Sequence, residues 1–146
     1  QVMIVPGTDG QKMSKSYGNT INVFADEKEL KKQVMAIVSD SKSLEEPKDP
    51  STDNTFRLFA LVASTEQIEA MRQNYLNGNY GYGHAKKELL AVLIERYAQE
   101  RSTFQTLMND KQELDKQLRI GAEKARVVAS ATLKRVRERV GYSPKG

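Results

Sequence analysis

After Val23 the chain offers no second strand, and this limits the fold more than any other property of the sequence. Val2-Met3-Ile4-Val5 is an apolar run rich in β-branched residues, stopped by Pro6-Gly7, and it reads as a strand. One short strand does not make a sheet. Its partners are expected in sequence upstream of Gln1. The chain also opens on Gln-Val-Met-Ile-Val without an initiator Met, as expected of part of a longer protein. From Asp26 onward the apolar residues recur with helical spacing. The expected fold class is therefore all-α, an antiparallel helical bundle preceded by a short strand and a flexible loop.

The helices can be placed by their caps and stripes. Asp26 with Glu29 reads as a capping box. Leu30, Val34, Ile37 and Val38 follow on one face, and the helix is expected to end near Ser39-Asp40. Ser41 to Asp53, with Pro47 and Pro50, reads as an extended, exposed linker. Phe56, Phe59, Ala60 and Ala63 mark a short second helix. Ser64 with Gln67 caps a third, with Ile68, Met71 and Tyr75 inward and Asn77-Gly78-Asn79 as its stop. Tyr80-Gly81-Tyr82-Gly83 reads as a tight turn. A long fourth helix is expected from His84 to Asn109, with Ala85, Leu89, Leu93, Tyr97 and Phe104 as its stripe. Asp110 with Glu113 caps a fifth that carries Leu114 and Leu118. Gly121 reads as a stop or kink, and a last helix runs from Ala122 to Val140, ending at Gly141.

Several function classes are excluded by composition. There is no cysteine, so disulfides and thiolate metal sites are ruled out. The single histidine, His84, starts a helix after a Tyr/Gly turn and reads as structural rather than as a metal ligand. No apolar run reaches the roughly 20 residues of a membrane span. The net charge of +4 is unevenly placed. From Arg119 to the end there are eight Lys or Arg against two Glu, a net of +6; residues 1–118 carry a net of −2. A basic end on a near-neutral body fits a polyanion partner, and equally a solvated helix face.

Chemistry is concentrated in Gln11-Lys12-Met13-Ser14-Lys15-Ser16-Tyr17-Gly18-Asn19. Two lysines stand three residues apart, each beside a hydroxyl, with Gly7 and Gly10 before them and Gly18 after. Compact ammonium groups on a loop suit a polyphosphate. The order Gly-x-x-x-x-Gly-Lys-Ser/Thr of a P-loop is absent. On composition alone the stretch is either a clamp closing over a nucleotide or an ordinary basic, Ser-rich turn.

Lys12-Met13-Ser14-Lys15-Ser16 resembles the second signature of class I aminoacyl-tRNA synthetases, usually written KMSKS, in full five-residue agreement. The lead-in Val5-Pro6-Gly7-Thr8-Asp9-Gly10 and lead-out Tyr17-Gly18-Asn19-Thr20-Ile21 resemble the tryptophanyl branch of that class. So do Tyr80-Gly81-Tyr82-Gly83-His84-Ala85-Lys86-Lys87 and Gly121-Ala122-Glu123-Lys124-Ala125-Arg126. The resemblance spans almost the whole chain.

It implies a cytoplasmic enzyme that activates tryptophan with ATP and Mg²⁺ and transfers it to tRNA(Trp). Lys12 and Lys15 are then the catalytic pair, holding the β- and γ-phosphates, with Lys15 the larger contributor. Val2, Met3, Lys12, Met13, Ser14, Lys15 and Ser16 are the implied ATP-binding residues. Val2 and Met3 act through backbone groups beside the adenine, Met13 as a packing residue, and the serines through loop shape and phosphate hydrogen bonds. Residues 1–24 become the end of a catalytic domain and 25–146 an anticodon-binding domain. There Lys124, Arg126, Arg135, Arg137 and Arg139 are candidates for tRNA phosphates. The family's first, His-containing signature is absent here, as are the tryptophan pocket and any protein ligand for a metal. This chain by itself is thus expected to bind ATP weakly and not to catalyse. The family resembles obligate homodimers, with this piece expected to be monomeric. A tyrosyl-specific relative and a non-catalytic helical interaction module are the rival readings.

Overall fold

The computed structural model describes residues 4–142. It divides into two compact units, Gln1–Ser102 and Thr103–Gly146. Six α-helices make up most of it: α1 (Glu27–Met35), α2 (Asn54–Phe59), α3 (Thr65–Asn77), α4 (Tyr82–Arg96), α5 (Ala98–Asn109) and α6 (Lys111–Arg139). Among the described residues no strand forms. Ile4 and Val5, the described half of the expected strand, are exposed. The only ladder element there is an isolated antiparallel bridge between Pro6 and Lys12. A strand without partners has no ladder to join, so its backbone stays outside one. Val2 and Met3 lie outside the described residues.

In the first unit α4 packs on α1 and α2, and α3 on α2. The core between them is Leu30 and Val34 of α1, Ile37, Phe56, Leu58 and Phe59 around α2, Met71 and Tyr75 of α3, and Ala85, Leu89 and Leu93 of α4. Each large side chain buried there contributes about 1.5–3 kcal/mol of transfer free energy. Phe56 meets Tyr75 edge-on at 5.5 Å, and Tyr75 in turn meets Tyr80 at 5.7 Å and Tyr82 at 6.2 Å. The expected aromatic turn is therefore a wall of the core. In the second unit α6 buries none of its residues.

The caps expected at Asp26, Ser64 and Asp110 form, and Asp53 adds one that spacing does not predict. Asp26, Asp53, Ser64 and Asp110 each accept the N–H three residues on, satisfying an orphan donor of the first turn. Ser64 and Gln67 form the full reciprocal box. Asp26 does not, because the Glu29 carboxylate accepts from Gln33 instead, at 3.1 Å. At the other end, Gly141 (φ 71°) closes α6 in a Schellman arrangement. Its N–H reaches Glu138 and that of Tyr142 reaches Arg137.

Four expectations are corrected. First, α1 stops at Met35 rather than at Ser39-Asp40. The N–H of Val38 is taken by the Thr8 carbonyl at 2.7 Å, and Lys86 Nζ takes the carbonyls of Met35 and Ile37. These distant partners satisfy groups that another helical turn would have used. Second, the 41–53 linker is not exposed throughout: Lys48 is 2% exposed. Its Nζ donates to the carbonyls of Ser43, Leu44 and Glu46, and it lies 5.3 Å from the centre of the Tyr82 ring.

Third, the long fourth helix is two. Tyr97 (φ −103°, ψ 17°) breaks it, half-buried against the core, and Arg101 beyond it donates to the Val23 carbonyl at 2.6 Å. No Gly or Pro marks the break; packing does. Fourth, Gly121 neither stops nor visibly ends a helix, since α6 runs through it. Its φ is not among the positive ones, and good helix formers flank it, so the cost is only the modest propensity penalty of glycine.

Candidate phosphate-binding loop

The segment Val5 to Asn19 is a closed loop held by its own backbone. Met13 N–H donates to the Val5 carbonyl at 2.9 Å, and Gly7 N–H to the Gln11 carbonyl at 2.6 Å. Gly10 turns the chain between them at φ 81°. A Cβ there would sit 2.6 Å from the Asn54 amide, so backbone geometry and space both call for glycine.

Ser14 caps a single 3₁₀ turn, Lys15–Tyr17. Its hydroxyl accepts from the Ser16 N–H and shares a 2.8 Å hydrogen bond with the Ser16 hydroxyl. Gly18 (φ 67°) ends the turn and sends the chain back beneath the loop. The side chains divide by role. Met13 is half-buried against the core and lines an apolar cavity of about 370 Å³ with Ile21, Val23, Leu58, Leu89 and Leu93. Lys12, Lys15 and Ser16 are exposed. Among the described residues neither lysine has an ion-pair partner. The nearby acid, Asp9, is occupied by the Gln11 N–H and the Asn19 amide. Two unneutralised ammonium groups thus stand on a shaped backbone, over a methionine anchored in the core. Such an arrangement attracts a polyanion and leaves both charges to it.

The basic residues of α6 belong to the second unit. Lys124, Arg126, Arg135, Arg137 and Arg139 are all exposed. At about 100° per residue, Lys124, Arg135 and Arg139 fall in one row and Arg126 and Arg137 in another. Arg126 is paired with Glu123 at 2.6 Å, and Arg135 donates to Thr132. The other three carry no such partner among the described residues.

The comparisons with known proteins bear on this loop. The family described as tRNA synthetases class I (W and Y) matches residues 1–98. That stretch includes the whole lysine loop and more than half of the chain. The chain belongs to that family. A tryptophan–tRNA ligase of Fusobacterium nucleatum is 46% identical over 138 residues, covering 94% of this chain and 42% of the relative. One of Rhodopirellula baltica is 43% identical and is covered over 43% of its length. The crystal structure of tryptophanyl-tRNA synthetase from Campylobacter jejuni, complexed with ADP and tryptophan, superposes with a TM-score of 0.86 at 38% identity. It is matched over 97% of this chain and 44% of that one. The chain therefore spans less than half the length of the relatives it matches.

Within this class I chain, Lys12–Ser16 is legible from five letters, but the residues that shape it are not. Spacing and charge give Asn19 and Asp9 no role, and give Gly7 only that of a strand stop and loop glycine before the lysines. The only local hint was Gly18-Asn19, a dipeptide that marks a turn and says nothing of burial. Asn19 is 3% exposed. No helix among the described residues is long and apolar enough to cross a membrane.

Proposed function

We propose that this chain is the C-terminal part of a tryptophan–tRNA ligase, supplying the loop that handles the phosphates of ATP and the helices that meet the tRNA. The observation that carries this reading is the pair Lys12 and Lys15, exposed and unneutralised on a closed loop within a class I sequence. Residues 1–24 act as the end of the catalytic domain, and residues 25–146 as the anticodon-side domain.

The reaction begins with attack of the tryptophan carboxylate on the α-phosphorus of ATP. The bond to the β-phosphate oxygen breaks, leaving tryptophanyl-adenylate and pyrophosphate. Negative charge builds on the departing phosphates. Lys12 and Lys15 are placed to meet it, and stabilisation of developing charge is where an electrostatic contribution speeds a step. Mg²⁺ arrives with ATP as part of the substrate. Ser14 and Ser16 hold the turn and offer hydroxyls to phosphate oxygens. Val2 and Met3 are assigned the adenine side through their backbone groups. Transfer of the aminoacyl group to tRNA(Trp) follows, with Lys124, Arg126, Arg135, Arg137 and Arg139 contacting the tRNA backbone as phosphate contacts do, by charge without sequence information. The intact enzyme is a cytoplasmic homodimer in this reading.

The names of the relatives support tryptophan over tyrosine as substrate. The test joins this chain to the upstream part of its protein and measures ATP–pyrophosphate exchange driven by tryptophan, with tyrosine as control. Exchange with tryptophan alone is expected, and Lys15→Ala lowers it by about a hundredfold, the scale of one lost transition-state donor. Exchange driven by tyrosine, or unchanged exchange in Lys15→Ala, overturns the reading.

A further inference from the structure

Asn19 is bonded through every polar group its side chain has. One Nδ2 hydrogen goes to Asp9 Oδ1 at 2.8 Å and the other to the Lys12 carbonyl at 3.1 Å, while Oδ1 accepts the Ser14 N–H at 2.8 Å. Its backbone carbonyl takes the Thr8 N–H at 2.9 Å. These bonds reach back into the segment before the lysines and into the lysine segment itself.

Two of them straddle Met13. The carbonyl of Lys12 and the N–H of Ser14 are both held by one amide, so the backbone between the lysines has no freedom to flip. Ser14 in turn caps the turn that begins at Lys15. The relative placement of the two ammonium stems thus runs through the Asn19 side chain. Only an amide fits, since two donors and an acceptor are in use at once. Gly7 belongs to the same device: a Cβ there would lie 2.3 Å from Asn19 Nδ2, so glycine makes the seat into which the amide drops.

We propose that Asn19 is the positioning residue of the lysine pair, locking Lys12 and Lys15 into the geometry that receives the leaving phosphates. At 3% exposed, it acts through the loop and not on substrate. This inference rests on the function proposed above. It predicts that breaking the lock costs catalysis without unfolding the helices, because a misplacement of about 1 Å is enough to cost about a hundredfold in rate.

The test uses the same joined enzyme. In Asn19→Asp a second carboxylate faces Asp9 and the donor to Lys12 is lost. The kcat of tryptophan-dependent exchange is expected to fall by about tenfold or more, with the KM for tryptophan and the helical circular dichroism unchanged. Adding Asp9→Asn restores a donor from residue 9 to residue 19, and the carboxylate introduced at position 19 still accepts from Ser14. The double variant is therefore expected to regain part of the loss, the donor to the Lys12 carbonyl staying absent. Asp9→Ala, on an exposed side chain, tests the same lock if Asn19→Asp loses its helices; it is expected to lower kcat in the same sense. Wild-type kcat in Asn19→Asp, a double variant no better than the single one, or wild-type kcat in Asp9→Ala overturns the proposal. If Lys15→Ala is impaired while these are not, the positioning role alone falls. If Lys15→Ala is itself unimpaired, the function proposed for the loop falls and this inference with it.

Discussion

The Tyr75 hydroxyl donates a 2.8 Å hydrogen bond to Asp53 Oδ1, the same oxygen that accepts the N–H of Phe56 and caps α2. One buried carboxylate oxygen thus ties α3 to the start of α2. Tyr75 is fully buried and Asp53 nearly so, so neither group has water as a substitute partner. Tyr75→Phe removes the donor and keeps the ring. It is expected to lower unfolding stability by about 2 kcal/mol, the range for a hydrogen bond to a charged group. Urea denaturation of the chain measures it, with helix content before the transition unchanged.

Three tyrosines stand well above the usual phenol range. Burial is the chief cause for each. Asp53 adds to it for Tyr75, Glu88 for Tyr80 and Asp40 for Tyr82. A phenol with a raised pKa in the folded state keeps its proton where the unfolded chain has lost it. The unfolded state then binds fewer protons, and stability falls as pH rises above about 10. Below that pH the contribution is fully present. A spectrophotometric titration followed by tyrosinate absorbance is expected to show these three of the six tyrosines ionising only with alkaline unfolding. Tyr75→Phe removes one of the three from that late step.

Lys48 gives its three N–H groups to three carbonyls of one loop, and its own backbone N–H holds the Tyr75 carbonyl at 2.7 Å. Lys48→Met keeps the stem and removes the head. The loss is expected to be about 2–3 kcal/mol, as for hydrogen bonds to a charged donor. Amide exchange should rise across residues 43–47 while α4 stays protected. Equal protection in both proteins refutes the tether.

Gly121 is helical, and a Cβ on it meets nothing within 4 Å. Gly121→Ala is expected to stabilise α6 by up to about 1 kcal/mol, since only glycine's backbone entropy is removed. Thermal melting followed by helical circular dichroism checks the sign. A lower melting temperature would mean that α6 bends or breaks at this residue.

The corrections share a pattern. The cap at Ser64 was legible because its partner, Gln67, lies three residues on, and the stop at Gly78 because its positive φ of 73° calls for glycine. The early end of α1 was not, because Thr8 and Lys86 approach Val38, Met35 and Ile37 from distant parts of the chain. Tyr97 looked like one more member of a continuous stripe. Only its packing against the core shows that the helix breaks there.

By itself the sequence determined the helical class, the caps and the pair of lysines beside hydroxyls, since periodicity and capping act over three or four residues. The tertiary structure decided which polar groups are buried and what they hold. Lys48 among a linker's carbonyls, Asp53 beneath Tyr75 and Asn19 between Asp9, Lys12 and Ser14 all depend on chain closure. The cost of burying an unpaired polar group fixes each of them in place, and that cost exists only once the fold has removed the water.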